Sequence, residues 1–153
     1  MKPARFTVPV AFMPKTQTRI FPARYDSLAA IGQFIAAAAE RAGFDDCTAY
    51  QVQLAVDEAC SNIIEHAYGG EGAGVIECTY RIQHEEFVVV LRDYGQPFEP
   101  ESVPKPNLSA NIEERPGGGL GLYLIREIMD EVDFDFESEA ANVLTMVKRR
   151  NGE

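Results

Sequence analysis

Between Gln96 and Gly119 this 153-residue chain places Pro97, Pro100, Pro104, Pro106 and Pro116, and then three consecutive glycines, Gly117, Gly118 and Gly119. Proline fixes φ and removes a backbone donor, and a glycine run loses the most entropy in any regular element. Neither a helix nor a central strand can therefore cross this stretch. A segment of this length without structure of its own is uncommon inside a compact domain unless it is a functional lid or disordered. Residues 96–118 are expected to form a lid, and the core must be built from what lies on either side. The length fits one domain, which should bury about 68–70% of the surface its unfolded form exposes, enough for a core without metal or disulfide staples.

The flanking segments carry clear periodicities. Residues 1–15 hold three prolines and read as an extended arm. Thr16–Ala23 reads as a strand. Asp26 or Ser27 can cap a helix with apolar Leu28, Ile31, Ile35, Ala38 and Ala42, ended by Gly43. Thr48-x-x-Gln51 has the capping-box pattern and predicts the start of a second helix, with Gly69-Gly70 as its stop. Val75–Ile82 and Phe87–Asp93 read as strands joined by a hairpin turn at His84 and Glu85. Beyond the lid, Leu120–Val132 predicts a third helix with an apolar face of Leu124, Ile125, Ile128, Met129 and Val132. Phe134–Glu137 and Val143–Lys148 close the chain as strands. Strand, two helices, two strands, lid, helix and two strands predict an α+β two-layer sandwich. Its sheet is mixed but mostly antiparallel, with the helices on one face.

Charge and cysteine content narrow the function. Twenty-four acidic against 14 basic residues give a net charge of −10. Binding to nucleic acid or an anionic membrane needs the opposite sign, so small ligands and protein partners are left. The cysteines, Cys47, Cys60 and Cys78, are odd in number and widely spaced, so neither zinc nor a disulfide framework is expected and a reducing cytoplasm fits. The apolar Val8–Met13 is too short for a membrane helix and is flanked or broken by proline, so a soluble, untargeted protein is expected.

Three places carry residues suited to chemistry. On the second helix Val52, Ala55, Val56, Ala59 and Ile63 form the core side, while Glu58, Asn62 and His66 follow one another at i, i+4, i+8, with Glu65 beside them. Such a stripe can simply be a solvated face. It also puts a carboxylate one turn from an amide oxygen, which suits a general base beside a Mg²⁺ ion that takes oxygen ligands and keeps several waters. Next, Arg92-Asp93-Tyr94-Gly95-Gln96-Pro97-Phe98 ends an apolar strand in a carboxylate. Asp-x-Gly often marks only a β-turn, but a carboxylate there can also accept a hydrogen bond from an exocyclic amine such as that of adenine. Last, Gly117-Gly118-Gly119-Leu120-Gly121-Leu122 stands directly before a helix. It is either a hinge for the lid or a phosphate cradle of bare N–H groups at a helix N-terminus. It matches neither the P-loop nor the dinucleotide fingerprint.

In this order and spacing the three motifs resemble the N, G1 and G2 boxes of the Bergerat ATP-binding fold of the histidine-kinase-like ATPases. The closer resemblance is to the anti-sigma factor serine/threonine kinases of bacterial partner-switching systems. It rests on Asp57-Glu58-Ala59-Cys60-Ser61-Asn62-Ile63-Ile64-Glu65-His66-Ala67-Tyr68, on the Asp93 motif, and on Gly119-Leu120-Gly121-Leu122-Tyr123-Leu124-Ile125. It runs from about residue 18 to 149. The resemblance implies ATP and Mg²⁺ as cofactors, an ATPase domain over residues 16–150, and Glu58 as the base that polarises the attacking hydroxyl. It also implies Asn62 as the Mg²⁺ ligand, with His66 among the nucleotide-binding residues, and Asp93 on the adenine amine with Gly95 making room for the ring. Gly117, Gly118, Gly119, Leu120 and Gly121 would hold the phosphates, and Lys105 and Arg115 would reach the terminal one. The implied partners are an anti-anti-sigma factor, which accepts the phosphate, and a sigma factor. A homodimer is implied as well.

Two other functions stay open at this level. One is a nucleotide-dependent binding switch that transfers no phosphate. The other is the catalytic domain of a histidine kinase, for which neither His66 nor His84 stands where a phosphoacceptor should.

Overall fold

The computed structural model describes residues 15–98, 119–136 and 140–150, with 119–121 described by backbone alone. The expected arm, apart from Lys15, and the lid from residue 99 to 118 lie outside the described residues. Thr16–Pro22 (β1) leads through a 3₁₀ turn at Tyr25–Ser27 into Leu28–Arg41 (α1), followed by Asp46–Asn62 (α2) and a π-helical turn, Ile63–Ala67. Val75–Gln83 (β2) and Glu86–Asp93 (β3) form the hairpin, with His84 in the left-handed region at φ 46°. Gly119–Ile128 (α3), Glu131–Asp135 (β4) and Asn142–Arg149 (β5) complete the described chain.

The sheet order is β1-β2-β3-β5-β4 and every pairing is antiparallel. α1 packs beside α2, and α2 beside α3. The result is the expected two-layer α+β sandwich. Alternation decides which strand residues meet the helices: Phe87, Val89, Leu91 and Asp93 of β3 share one face and all are buried, as are Ile76, Cys78 and Tyr80 of β2. Val52, Ala55, Val56, Ala59 and Ile63 of the α2 stripe are buried against them. Full burial of side chains such as Ile31, Ile35, Phe87 and Leu91 stabilises the fold by roughly 1.5–3 kcal/mol each. Cys60 and Cys78 are free thiols inside this core, and burial pushes the Cys78 thiol up to about 12. They act as small apolar residues.

Several element boundaries differ from the sequence reading. α2 is capped by Asp45, whose carboxylate accepts from the Thr48 N–H at 2.7 Å, so Thr48 lies inside the first turn rather than before it. Ser27 stands at the start of α1 without a side-chain capping bond, because the 3₁₀ turn already occupies that position. α3 stops at Ile128 instead of running to Val132. The Asp130 N–H bonds to Val147 O at 2.8 Å, which turns the chain into the sheet, and Val132 then faces Met146 as part of β4. β4 therefore begins at Glu131, not at Phe134. Gly43 ends α1 as expected, at φ +97°.

Candidate functional site

Asp93 is the last residue of β3 and Asn142 the first of β5, and the two face each other in the final rung of that ladder. Strand alternation turns both toward the helices, where they are 3% and 5% exposed. A buried carboxylate needs donors, and Asp93 has two: the Gly95 N–H at 3.0 Å and Asn142 Nδ2 at 2.8 Å, both on Oδ1. Asn142 Nδ2 also donates to Gly95 O at 3.1 Å. Burial raises the Asp93 pKa, and the two hydrogen bonds offset only part of that rise. Its Oδ2 has no protein partner among the described residues.

Gly95 owes its identity to a neighbour the sequence does not show. A Cβ there would lie 2.4 Å from the Ala67 carbonyl oxygen, and the Gln96 N–H bonds to that same oxygen at 2.7 Å. The structure thus supplies a backbone reason for this glycine, separate from any room it leaves for a ring. Ala67 ends the π turn, in which Tyr68 N–H reaches back five residues to Ile63 O at 3.0 Å. Tyr68 locks the two segments together: its phenol donates to Val75 O at 2.6 Å and accepts from the Tyr94 N–H at 2.9 Å. Turns of this kind occur often at functional sites.

The π turn also splits the polar stripe of α2. Asn62 is buried at 9% exposure and Glu58 is half-buried, but His66 is exposed. The His66 ring packs 5.6 Å from Phe98, and its Nε2 lies 4.0 Å from a carboxylate oxygen of Glu65. Burial first, then the charges of Asp57 and Glu65, raise the Glu58 pKa. Glu58 makes no hydrogen bond to protein among the described residues. That leaves a carboxylate of raised basicity, open on one side and one turn from a buried amide. Glu65 is held from outside by the Tyr25 hydroxyl at 3.0 Å.

Asn62, Asp93 and Asn142 meet at one cavity, whose other walls are apolar: Ala59 of α2, Ile63 of the π turn, Ile125 of α3, Val143 and Leu144 of β5, and the rings of Phe98, Phe134 and Phe136. Glu58 and His66 do not line it. The open space, about 10 Å³, is room for a single water. Phe98 is one of the lining rings, 6.3 Å from Phe134 and 5.3 Å from Phe136. The lining combines a carboxylate oxygen that no described residue engages with aliphatic and aromatic side chains. Among the described residues no group of three His, Cys, Asp or Glu side chains is placed to hold a metal ion. A Mg²⁺ ion held by the Asn62 amide together with phosphates and waters needs no such group.

Gly119, Leu120 and Gly121 form the first turn of α3, where backbone N–H groups have no partner within the helix. Lys105, Arg115, Gly117 and Gly118 lie outside the described residues. The roles of Asn142 and Tyr68 were missed in the sequence. Asn142 breaks the alternation of β5 with a buried polar group, but the segment carries no motif around it. No described helix is long and apolar enough to cross a membrane.

Comparison with known proteins bears on the same elements. Several curated relatives carry the name serine-protein kinase RsbW. The one from Halalkalibacterium halodurans is 27% identical over 142 residues, covering 90% of this chain and 86% of the relative. That from Bacillus velezensis is 28% identical over 136 residues, covering 86% and 84%. One from Bacillus cereus is 29% identical over 133 residues, covering 84% and 82%. The resemblance read from the three motifs agrees with these findings. Residues 21–148 match the family described as the histidine kinase-like ATPase domain, from the end of β1 through the helix that carries Glu58 to the strand that carries Asn142, and the chain belongs to that family.

Proposed function

We propose that the chain is an ATP-dependent serine/threonine protein kinase and anti-sigma factor. It transfers the γ-phosphate of ATP to a hydroxyl of an anti-anti-sigma partner, and it holds a sigma factor when that partner is phosphorylated. One observation carries the reading: a buried carboxylate, with one oxygen unengaged among the described residues, lines a largely apolar cavity together with Asn62, one helical turn beyond the half-buried Glu58. The serine-protein kinase name of the relatives supports it.

In this reading Asp93 accepts a hydrogen bond from the adenine amine, and the apolar walls take the faces of the ring. The first turn of α3 offers N–H groups to the phosphates. Asn62 holds the metal, and Mg²⁺, once bound with ATP, neutralises phosphate charge. The partner's hydroxyl oxygen attacks the γ-phosphorus, the bond from that phosphorus to the β-bridging oxygen breaks, and Glu58 takes the hydroxyl proton. A carboxylate whose pKa is raised by burial and by like charges suits that task.

Incubation with γ-labelled ATP, Mg²⁺ and candidate acceptor proteins tests the proposal. Label stable on a serine or threonine of a partner is the expected result. Label on a histidine points to a histidine-kinase-type domain, and ATP binding without transfer to any partner points to a binding switch.

A further inference from the structure

We propose that the groove between β1 and α1 docks an extended acidic segment of a protein partner, whose carboxylates pair with Arg19 and Arg41. The groove lies under the β1 edge of the sheet, whereas the cavity with Asp93 lies under β3 and β5, so the inference goes beyond the proposed function. β1 is an outermost strand, and one side of its backbone pairs with no described strand. Gln17 and Arg19 stand opposite Tyr80 and Cys78 in the register, both buried, and so belong to the helix-facing side of β1. Across from them are Ala30, Phe34 and Ala37 of α1, with an open space of about 380 Å³ between.

The two guanidinium groups of this groove are held by rings, not by carboxylates. Arg19 lies over the Phe34 ring at 4.9 Å and Arg41 over the Tyr80 ring at 5.5 Å. Arg41 Nη2 donates to the Tyr80 hydroxyl at 2.6 Å, and that hydroxyl donates to Gln17 Oε1 at 3.2 Å. Elsewhere the chain pairs its arginines with its own acids: Arg24 with Asp26, Arg92 with Glu77, and Arg149 with Glu86 and Glu131. Among the described residues neither Arg19 nor Arg41 has such a partner. In a chain of net charge −10, two cations without an acid beside an apolar floor are complementary to carboxylates from outside. The planar fork of arginine matches a carboxylate, a strand edge accepts an extended backbone, and the floor of Ala30, Phe34 and Ala37 takes an aliphatic side chain. The overall negative charge disfavours a nucleic acid at the same place.

The probe is a short blocked peptide in which glutamate, valine and glutamate alternate with threonine, set against a control with glutamine for both glutamates. Each is titrated by fluorescence anisotropy, and amide shifts of the labelled protein locate the contact. Wild type should bind the acidic peptide saturably, with shifts confined to residues 16–22 and 30–41. Affinity should fall about tenfold or more for the glutamine peptide and for Arg19→Gln, whose side chain is exposed, so that the core is left intact. Arg41→Lys keeps the charge without the fork and should fall between, with thermal melting to confirm that both variants fold. Absence of saturable binding, equal affinity for the two peptides, or binding that survives both substitutions overturns the inference. So does self-association of wild type that Arg19→Gln abolishes, because the groove would then hold a second copy of the chain.

Discussion

Asp93 and Glu58 are two carboxylates drawn out of water near one cavity, and they are held in opposite ways. Asp93 sits at the end of a central strand, pinned on one oxygen by the Gly95 N–H and the Asn142 amide. Glu58 projects from a helix, half-buried, with no hydrogen bond among the described residues and with Asp57 and Glu65 repelling its charge. Burial raises both pKa values, but at Asp93 the hydrogen bonds offset part of the rise. A group that must recognise a ligand is fixed in place by donors to its ionised form. A group that must receive a proton is left unpaired, so that burial and like charges can raise its basicity. Under the proposed function the contrast separates binding from transfer, and each end can be broken independently.

The largest expected effect is at the transfer end. Glu58→Ala should lower single-turnover phosphate transfer by about 10²–10⁴-fold, the usual contribution of a general base. A rate within a few-fold of wild type would show that another group takes the proton. Asn62→Ala should weaken nucleotide binding in Mg²⁺ and leave binding in EDTA nearly unchanged. Equal losses in both buffers would remove the metal from Asn62.

At the binding end the scaffold can be tested without ligand. Gly95→Ala forces a Cβ to within 2.4 Å of the Ala67 carbonyl, a backbone atom that cannot swing aside. Overpacking of this kind costs about 1–3 kcal/mol, read as a lower denaturation midpoint. A variant as stable as wild type would mean that the turn after Asp93 gives way easily. The smallest effect is a shift in pH dependence. If Glu58 is the proposed base, transfer needs it ionised, so the rate should fall as pH drops through its raised pKa. Glu65→Gln removes one of the charges that raise it and should move the acid limb to lower pH. An unmoved limb would show that Glu65 does not reach the base.

The sequence made these two ends legible to different degrees. The α2 stripe, the Asp93 strand end and the glycine run were readable because periodicity and motif spacing are local properties. Asn142 was not, since its role depends on the antiparallel register that sets it opposite Asp93, some 49 positions away in sequence. The π turn at Ile63–Ala67 was hidden because five residues are too few for a change of period to show, and it moves His66 to the surface while Asn62 stays buried. Val132 misled for a related reason: its apolar side chain fits the face of a helix and the inner face of β4 equally well, and the Asp130–Val147 backbone bond decides between them. Gly95 read as a turn glycine, and its contact with Ala67 became visible only in the folded chain.

The division between the two carboxylates is tested most directly by the affinity for Mg²⁺–ATP of Asp93→Asn and Glu58→Ala, measured side by side on folded proteins. Asp93→Asn places a donor where the amine needs an acceptor and should lose roughly one to two decades in affinity. Glu58→Ala should bind as wild type does, because its partner is the incoming hydroxyl. Unchanged affinity in Asp93→Asn, or an equal loss in both variants, would contradict the account.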